Sequence, residues 1–237
     1  MTYELIICEK PSQALKIAEA LADKKIKKHI AEKVSYYEIT HEGKQIFIAS
    51  AVGHLFVLTE REKKGWTYPV FDITWKEAYK VRKLAEYTKK YYDVLQNLSK
   101  KADSFVVACD FDLEGSLIGY NVVRFIANKK DAKRMKFSTM TKEELVEAYK
   151  NANPHLDFQQ IDAGETRHKL DYYHGISLSR ALTLSIKKAG SFKLMSIGRV
   201  QGPSLAILAK KELEIKKFKS EPFWEIELIT DKLNAFH

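Results

Sequence analysis

The chain predicts an α/β fold: a mainly parallel sheet over roughly residues 1–150, followed by a mostly helical region. Two βα units and a change of texture carry that reading. The runs Leu5-Ile-Ile-Cys8 and Phe105-Val-Val-Ala-Cys109 have the length and composition of buried strands. After the first, Leu15, Ala18, Leu21 and Ala22 recur on one helical face; after the second, Leu117, Ile118, Val122, Phe125 and Ile126 do the same. Past residue 155 the alternation of strands and helices stops, and residues 158–189 are helical in pattern.

The remaining elements follow in order. Residues 36–40 and 45–50 read as a hairpin around His41-Glu-Gly43-Lys44. Residues 59–76, with a Lys-Lys-Gly turn and Pro69, are expected to be irregular loop, and residues 77–100 a long, exposed, basic helix. Residues 134–138 suit a short strand. Thr141-Lys-Glu-Glu144 has the form of a capping box opening a helix through Tyr149, and Asn151-Ala-Asn-Pro154 ends it. Residues 196–201 form a loop, Pro203 can serve as the first residue of a helix to about residue 217, and residues 221–229 alternate like a strand.

Composition bounds the function. The 237 residues are 45% hydrophobic, enough for a buried core, yet no apolar run is long enough to span a membrane. The opening Met1-Thr-Tyr-Glu-Leu lacks a signal-peptide pattern. Cys8 and Cys109 each sit inside an apolar run, as buried packing thiols of a reducing compartment do, and C-x-x-C zinc spacing is absent. The net charge of +9 suits a polyanion such as nucleic acid, although lysine-rich proteins without such a ligand share it. Only seven of the cations are arginines, so each is a candidate phosphate fork.

The densest chemistry is Asp110-Phe-Asp112-Leu-Glu114-Gly115, at the end of the second buried strand. Three crowded carboxylates repel one another unless a cation sits among them, and Mg²⁺ is the natural one for oxygen ligands. A solvated acidic turn before a helix is the competing reading, because acids also suit a helix N-terminus. Glu9 ends the first strand. In open α/β sheets ligands gather at the carboxyl ends of strands, so if the two strands are neighbours four acids converge.

Asp110-Phe-Asp112-Leu-Glu114-Gly115 with Glu9 resembles the Toprim domain of topoisomerases, DnaG-type primases and some nucleases. Ser50-Ala-Val-Gly53-His54-Leu55 resembles the S-x-G-H-L element of type IA DNA topoisomerases. The stretch from Ala163 to Gly175, running into Leu178-Ser-Arg-Ala-Leu182, resembles their all-helical domain. Ser196-Ile-Gly198-Arg199-Val-Gln201-Gly-Pro203 looks like their G-R-V-Q element and is the most specific of the set. The Glu9-Lys10-Pro11-Ser12 opening and Gly202-Pro203 lean towards an archaeal or topoisomerase III-like member.

The resemblance implies a Rossmann-like Toprim domain over 1–152, a helical DNA-binding domain over 153–217 and the start of an arch domain over 218–237. It implies an enzyme that cleaves one DNA strand through a 5′-phosphotyrosine, passes another strand and reseals it. Asp110 and Asp112 are then Mg²⁺ ligands, and Glu114 completes the acidic group. Glu9, also near the metal, handles protons at the leaving 3′ oxygen, and Lys10 neutralises the scissile phosphate. His54 could donate to a phosphate. Arg167 and Asp171 line a single-stranded DNA groove, although a surface i,i+4 pair is the plainer reading. Arg199 and Gln201 contact DNA at a helix N-terminus. Trp66, Trp75 and Trp224 could stack on bases but are expected in cores.

The sequence departs from the family at the nucleophile. None of the twelve tyrosines lies in a Y-P-R-T-like motif; Tyr68-Pro69 is followed by Val70-Phe71. The chain is therefore expected to be an N-terminal fragment, inactive alone, whose partners are single-stranded DNA and the missing C-terminal part, in the cytoplasm at the nucleoid. A Toprim nuclease, a primase relative or a non-catalytic nucleic-acid-binding protein is the alternative class. A reverse-gyrase module is another origin, against which Met1 argues.

Overall fold

The computed structural model describes residues 3–63 and 65–236. Its centre is a six-stranded sheet built from β1 (Tyr3–Cys8), β2 (Lys27–Ala31), β3 (Val34–His41), β4 (Lys44–Ser50), β7 (Ala102–Ala108) and β8 (Lys133–Arg134). The order is β2-β3-β4-β1-β7-β8; β4, β1, β7 and β8 run parallel, while β2 and β3 add an antiparallel edge. All six residues of β1 are buried, as a central parallel strand requires.

Helices cover both faces. On one side α1 (Pro11–Leu21) and α5 (Lys142–Lys150) pack Ala14, Ile17, Leu21, Leu145 and Ala148 against Ile6, Cys8, Val106 and Ala108. On the other, α3 (Thr88–Ser99) and α4 (Leu113–Phe125) pack Val94, Leu95, Leu117 and Val122 against Leu5, Ile7, Phe105, Val107 and Cys109. The free, buried cysteines thus belong to opposite faces, and Cys8 registers with Ala108. Burial drives both thiols up, Cys109 to about 12.

The hairpin forms as expected, with Glu42 and Gly43 at φ +47° and +78°, the pair of left-handed residues a type I′ turn needs. β2 has no buried apolar signature; Lys27 and His29 pair with Glu38 across the edge. Part of the loop expected over 59–76 is instead an antiparallel ribbon of β5 (Phe56–Glu60) and β6 (Ile73–Glu77). The single helix expected over 77–100 is broken. β6 claims its start, α2 (Ala78–Val81) is one turn, and Arg82 is extended (φ −122°, ψ +118°). A 3₁₀ turn at Lys83–Ala85 then leads to α3. Lysine-rich helix propensity is a weak signal and the strand pairing overrides it. The capping box is also rewired: Thr141 makes no cap bond, and Glu144 accepts from the backbone nitrogens of Ser138 and Thr139 at 2.5 and 3.0 Å.

α6 (Phe158–Lys188) is a 31-residue helix laid across α4 and the ribbon. Gly164 packs on the Leu113 carbonyl, Arg124 pairs with Glu165 at 3.1 Å, and Arg180 pairs with Glu60 and donates to the Thr67 carbonyl at 2.8 Å. α7 (Gln201–Lys217) holds Pro203 in its first turn and buries none of its residues. The strand expected over 221–229 shrinks to β9 (Glu227–Ile229), paired with β10 (Asn234–Phe236). Trp75 is half-buried, but Trp66 and Trp224 are exposed rather than in a core.

Gly119 of α4 lies against the sheet with no room for a side chain. A Cβ there would overlap Val107 Cγ1 and lie 3.2 Å from Val107 Cβ, and Val107 is fully buried. Gly119→Ala should therefore cost about 1–3 kcal/mol despite alanine's better helix propensity, read as a lower urea midpoint at unchanged slope.

Candidate functional site

Three neighbouring parallel strands stop at one level. Cys8, Ser50 and Ala108 are register partners, so Glu9, the loop to His54, and the acidic turn from Asp110 leave the sheet side by side. The loop after β4 is held to β1 by bonds from Ala51 N to Cys8 O (2.8 Å) and Gly53 N to Glu9 O (3.3 Å). Within it Val52 has φ +56°, a strained value for a β-branched residue, followed by Gly53 at +88°.

The acids divide into two neighbourhoods. Lys10 Nζ lies 2.7 Å from Asp110 Oδ2 and 3.6 Å from Glu9 Oε1, and Gln13 donates to the other Asp110 oxygen. Burial, then the charges of Asp110 and Asp112 against the opposing Lys10, hold Glu9 above the usual carboxylate range. Asp112 caps α4, accepting from Gly115 N at 2.7 Å. Gly115 is there for space: a Cβ would overlap the Asp110 carbonyl oxygen. Glu9 and Asp110 already share an ammonium, and with Asp112 beside them they offer only oxygen donors, the chemistry that suits a hard cation such as Mg²⁺.

Glu114 turns away from that group. Its Oε2 accepts from His54 Nε2 (2.9 Å) and His168 Nε2 (2.8 Å), with Arg167 Nη1 3.7 Å from Oε1. Burial works to raise Glu114, but hydrogen bonding and charge from His168, then His54, outweigh it and hold it low. Burial, then the His168 imidazole, lowers His54. His168 was invisible to sequence reasoning as a site residue; its only signal was adjacency to Arg167.

Asp171 joins two arginines. Its Oδ1 lies 2.5 Å from Arg199 Nε and its Oδ2 3.9 Å from Arg167 Nε, and the bond to Arg199 holds its carboxyl low. Gln201 is the first residue of α7, exposed beside Gly198. Arg134, one of the seven arginines considered as phosphate forks, instead turns inward and donates to backbone carbonyls of the acidic turn.

Residues 4–140 match the family model described as Toprim domain, and residues 155–237 the model described as DNA topoisomerase. DNA topoisomerase 1 of Methanocaldococcus jannaschii is 53% identical over 98% of this chain and 30% of that protein. DNA topoisomerase 1 of Pyrococcus horikoshii is 46% identical over 96% and 34%, and DNA topoisomerase 3 of Bacillus cereus is 28% identical over 97% and 30%. Full-length topoisomerase I from Thermotoga maritima shares the fold, with a TM-score of 0.65 at 23% identity over 98% of this chain and 34% of that one. The chain thus spans about a third of the length of these relatives.

The elevated Glu9 has a stability consequence. The folded carboxyl keeps its proton to higher pH than the unfolded chain does, so between the two values the folded state binds more protons and stability falls as pH rises. Glu9→Gln removes that loss. In metal-free buffer its melting temperature should exceed the parent's at pH 7, and the gap should close as pH falls below the ordinary carboxylate value of about 4.3.

Proposed function

The chain carries a Toprim domain and belongs to the type IA DNA topoisomerases, and from that premise we propose that it supplies the phosphate-handling half of a strand-cleaving site. The reaction is transient cleavage of one DNA strand through a 5′-phosphotyrosine, with passage of a second strand to relax or decatenate DNA. The supporting observation is the contact of Glu9, Lys10 and Asp110 at adjacent strand ends.

In this reading Lys10 meets the scissile phosphate, where its ammonium offsets charge in the transition state. Glu9 holds a proton and delivers it to the leaving 3′ oxygen, a role its raised pKa suits. Asp110 and Asp112 would hold Mg²⁺, and Glu114 would complete the acidic group by turning back from His54 and His168; bound there, the ion would offset phosphate charge. His54, Arg167, Asp171, Arg199 and Gln201 bind the single strand. The working division is a Toprim domain over 1–152, a helical DNA-binding domain over 153–217 and the start of an arch over 218–237. The place of action is the cytoplasm, on nucleoid DNA.

Binding should be electrostatic and sequence-tolerant. Arg199→Ala should weaken single-stranded DNA equally across sequences and reduce the slope of log affinity against log salt by about one unit. Unchanged affinity and slope would make Arg199 a structural partner of Asp171 only.

The nucleophile is expected outside these residues, because no tyrosine here has the family's context. The 237-residue chain with Mg²⁺ and a labelled oligonucleotide should give no covalent band on a denaturing gel, and should gain one when the remaining part of the relatives' length is supplied. An adduct on a tyrosine of this chain would overturn that assignment. Metal-dependent cleavage without an adduct would favour a nuclease.

A further inference from the structure

His54, Glu114 and His168 come from three separate elements: the loop after β4, the first turn of α4 and the middle of α6. Their ligand atoms all lie within 4.8 Å of one another, the one such group of histidine, cysteine or acid atoms among the described residues. The side chains are 25%, 34% and 28% exposed, so the cluster is supported yet reachable by a solvated ion. The imidazole planes are tilted by 48°, and both Nε2 atoms converge on the same carboxylate oxygen.

Two imidazoles and one carboxylate form a different donor set from the oxygen group at Glu9, Asp110 and Asp112. Mg²⁺ requires about six oxygens, whereas a His₂-carboxylate set selects a borderline first-row ion. We propose that His54, Glu114 and His168 bind one transition ion of the Zn²⁺ or Co²⁺ class through His54 Nε2, His168 Nε2 and Glu114 Oε2. Water completes the coordination from an adjoining cavity of about 540 Å³ that both histidines line. The site shares Glu114 with the proposed Mg²⁺ group, and its occupation withdraws that carboxylate from Mg²⁺.

The neighbours set the strength. Arg167 engages only Oε1, at 3.7 Å, leaving Oε2 for the ion, but its charge and that of Arg82 beside His54 oppose a second cation. Each Nε2 now donates a proton to Oε2, so each imidazole must move that proton to Nδ1 before its lone pair reaches the metal. His54 Nδ1 is buried with no partner to receive the resulting N–H bond. Binding therefore carries the cost of a tautomer change, and the site is a reversible one, unlike a structural zinc centre.

The test is a Co²⁺ titration of the full chain, followed by visible ligand-field absorption. One equivalent should give a low-coordination spectrum. His168→Gln should weaken binding by about tenfold or more. Asp110→Asn should retain the Co²⁺ spectrum while calorimetry shows Mg²⁺ binding lost. Retention of Co²⁺ by His168→Gln with its loss from Asp110→Asn would overturn the proposal. Because His168→Gln could disturb α6, zinc-edge X-ray absorption of the unaltered chain provides a second readout. Two imidazoles around the zinc are expected; oxygen ligands alone would overturn the assignment. Unchanged Mg²⁺ binding in Asp110→Asn would count against the Mg²⁺ reading and leave the histidine site standing.

Discussion

A buried guanidinium fixes the place where the acids leave the sheet. Arg134 is 1% exposed, and its Nη1 donates to the carbonyls of Cys109 (2.9 Å), Met135 (3.0 Å) and Val107 (3.3 Å), while Nη2 donates to Asp110 (2.8 Å). β7 ends at Ala108, so the carbonyls of Cys109 and Asp110 lie beyond the strand proper, and buried carbonyls need donors. A planar fork can serve several at once; a lysine ammonium is a point and cannot span them. Desolvating a guanidinium costs several kcal/mol, recovered here through charge-assisted bonds worth roughly 1.5–3 kcal/mol each before non-additivity. The short β8 exists to place this residue. Arg134 exchanges backbone bonds with Asn153 on its other side, at 2.8 and 2.9 Å.

With the backbone of Asp110 pinned, charge decides the side chains. Asp110 is drawn to Lys10 and Gln13, Asp112 is occupied at the helix N-terminus, and Glu114 is drawn to two imidazoles. Alternate positions in sequence therefore point to different surroundings. Separation relieves carboxylate repulsion without a metal, and Glu9 stays raised through burial first and the charges of Asp110 and Asp112 second.

Much of this is legible in the sequence. β1, β7, α1, α4 and α6 announce themselves because apolar residues recur with the period of each element, and Glu9 and Asp110 follow as strand ends. β2 was hidden because its edge position carries two lysines, a histidine and an exposed Ile30 where a central strand carries a buried aliphatic run. The β5–β6 ribbon was hidden because its support is tertiary: Glu60 is held by Arg180, 120 residues away. Glu114's turn to His168, 54 residues on, was illegible for the same reason, since no local pattern records which helix will lie across α4.

α6 carries the logic from the sheet to the helical region. Gly164 lets it settle on Leu113, at the start of the helix that Asp112 caps, and the same stretch brings Glu165 to Arg124 and His168 to Glu114. One turn beyond Arg167, Asp171 reaches the loop before α7 and holds Arg199. That last pair is exposed and therefore screened by water, so it orients the guanidinium without locking it. In the proposed function, a polyanion approaching α7 would meet an arginine already aimed by Asp171, and a phosphate would take over the guanidinium by exchange rather than by reorganisation. On that proposal, the acid that looks like a competitor for DNA would serve as a rest position for the residue that binds it. The continuity of α6 ties that rest position to the strand ends where the acids stand.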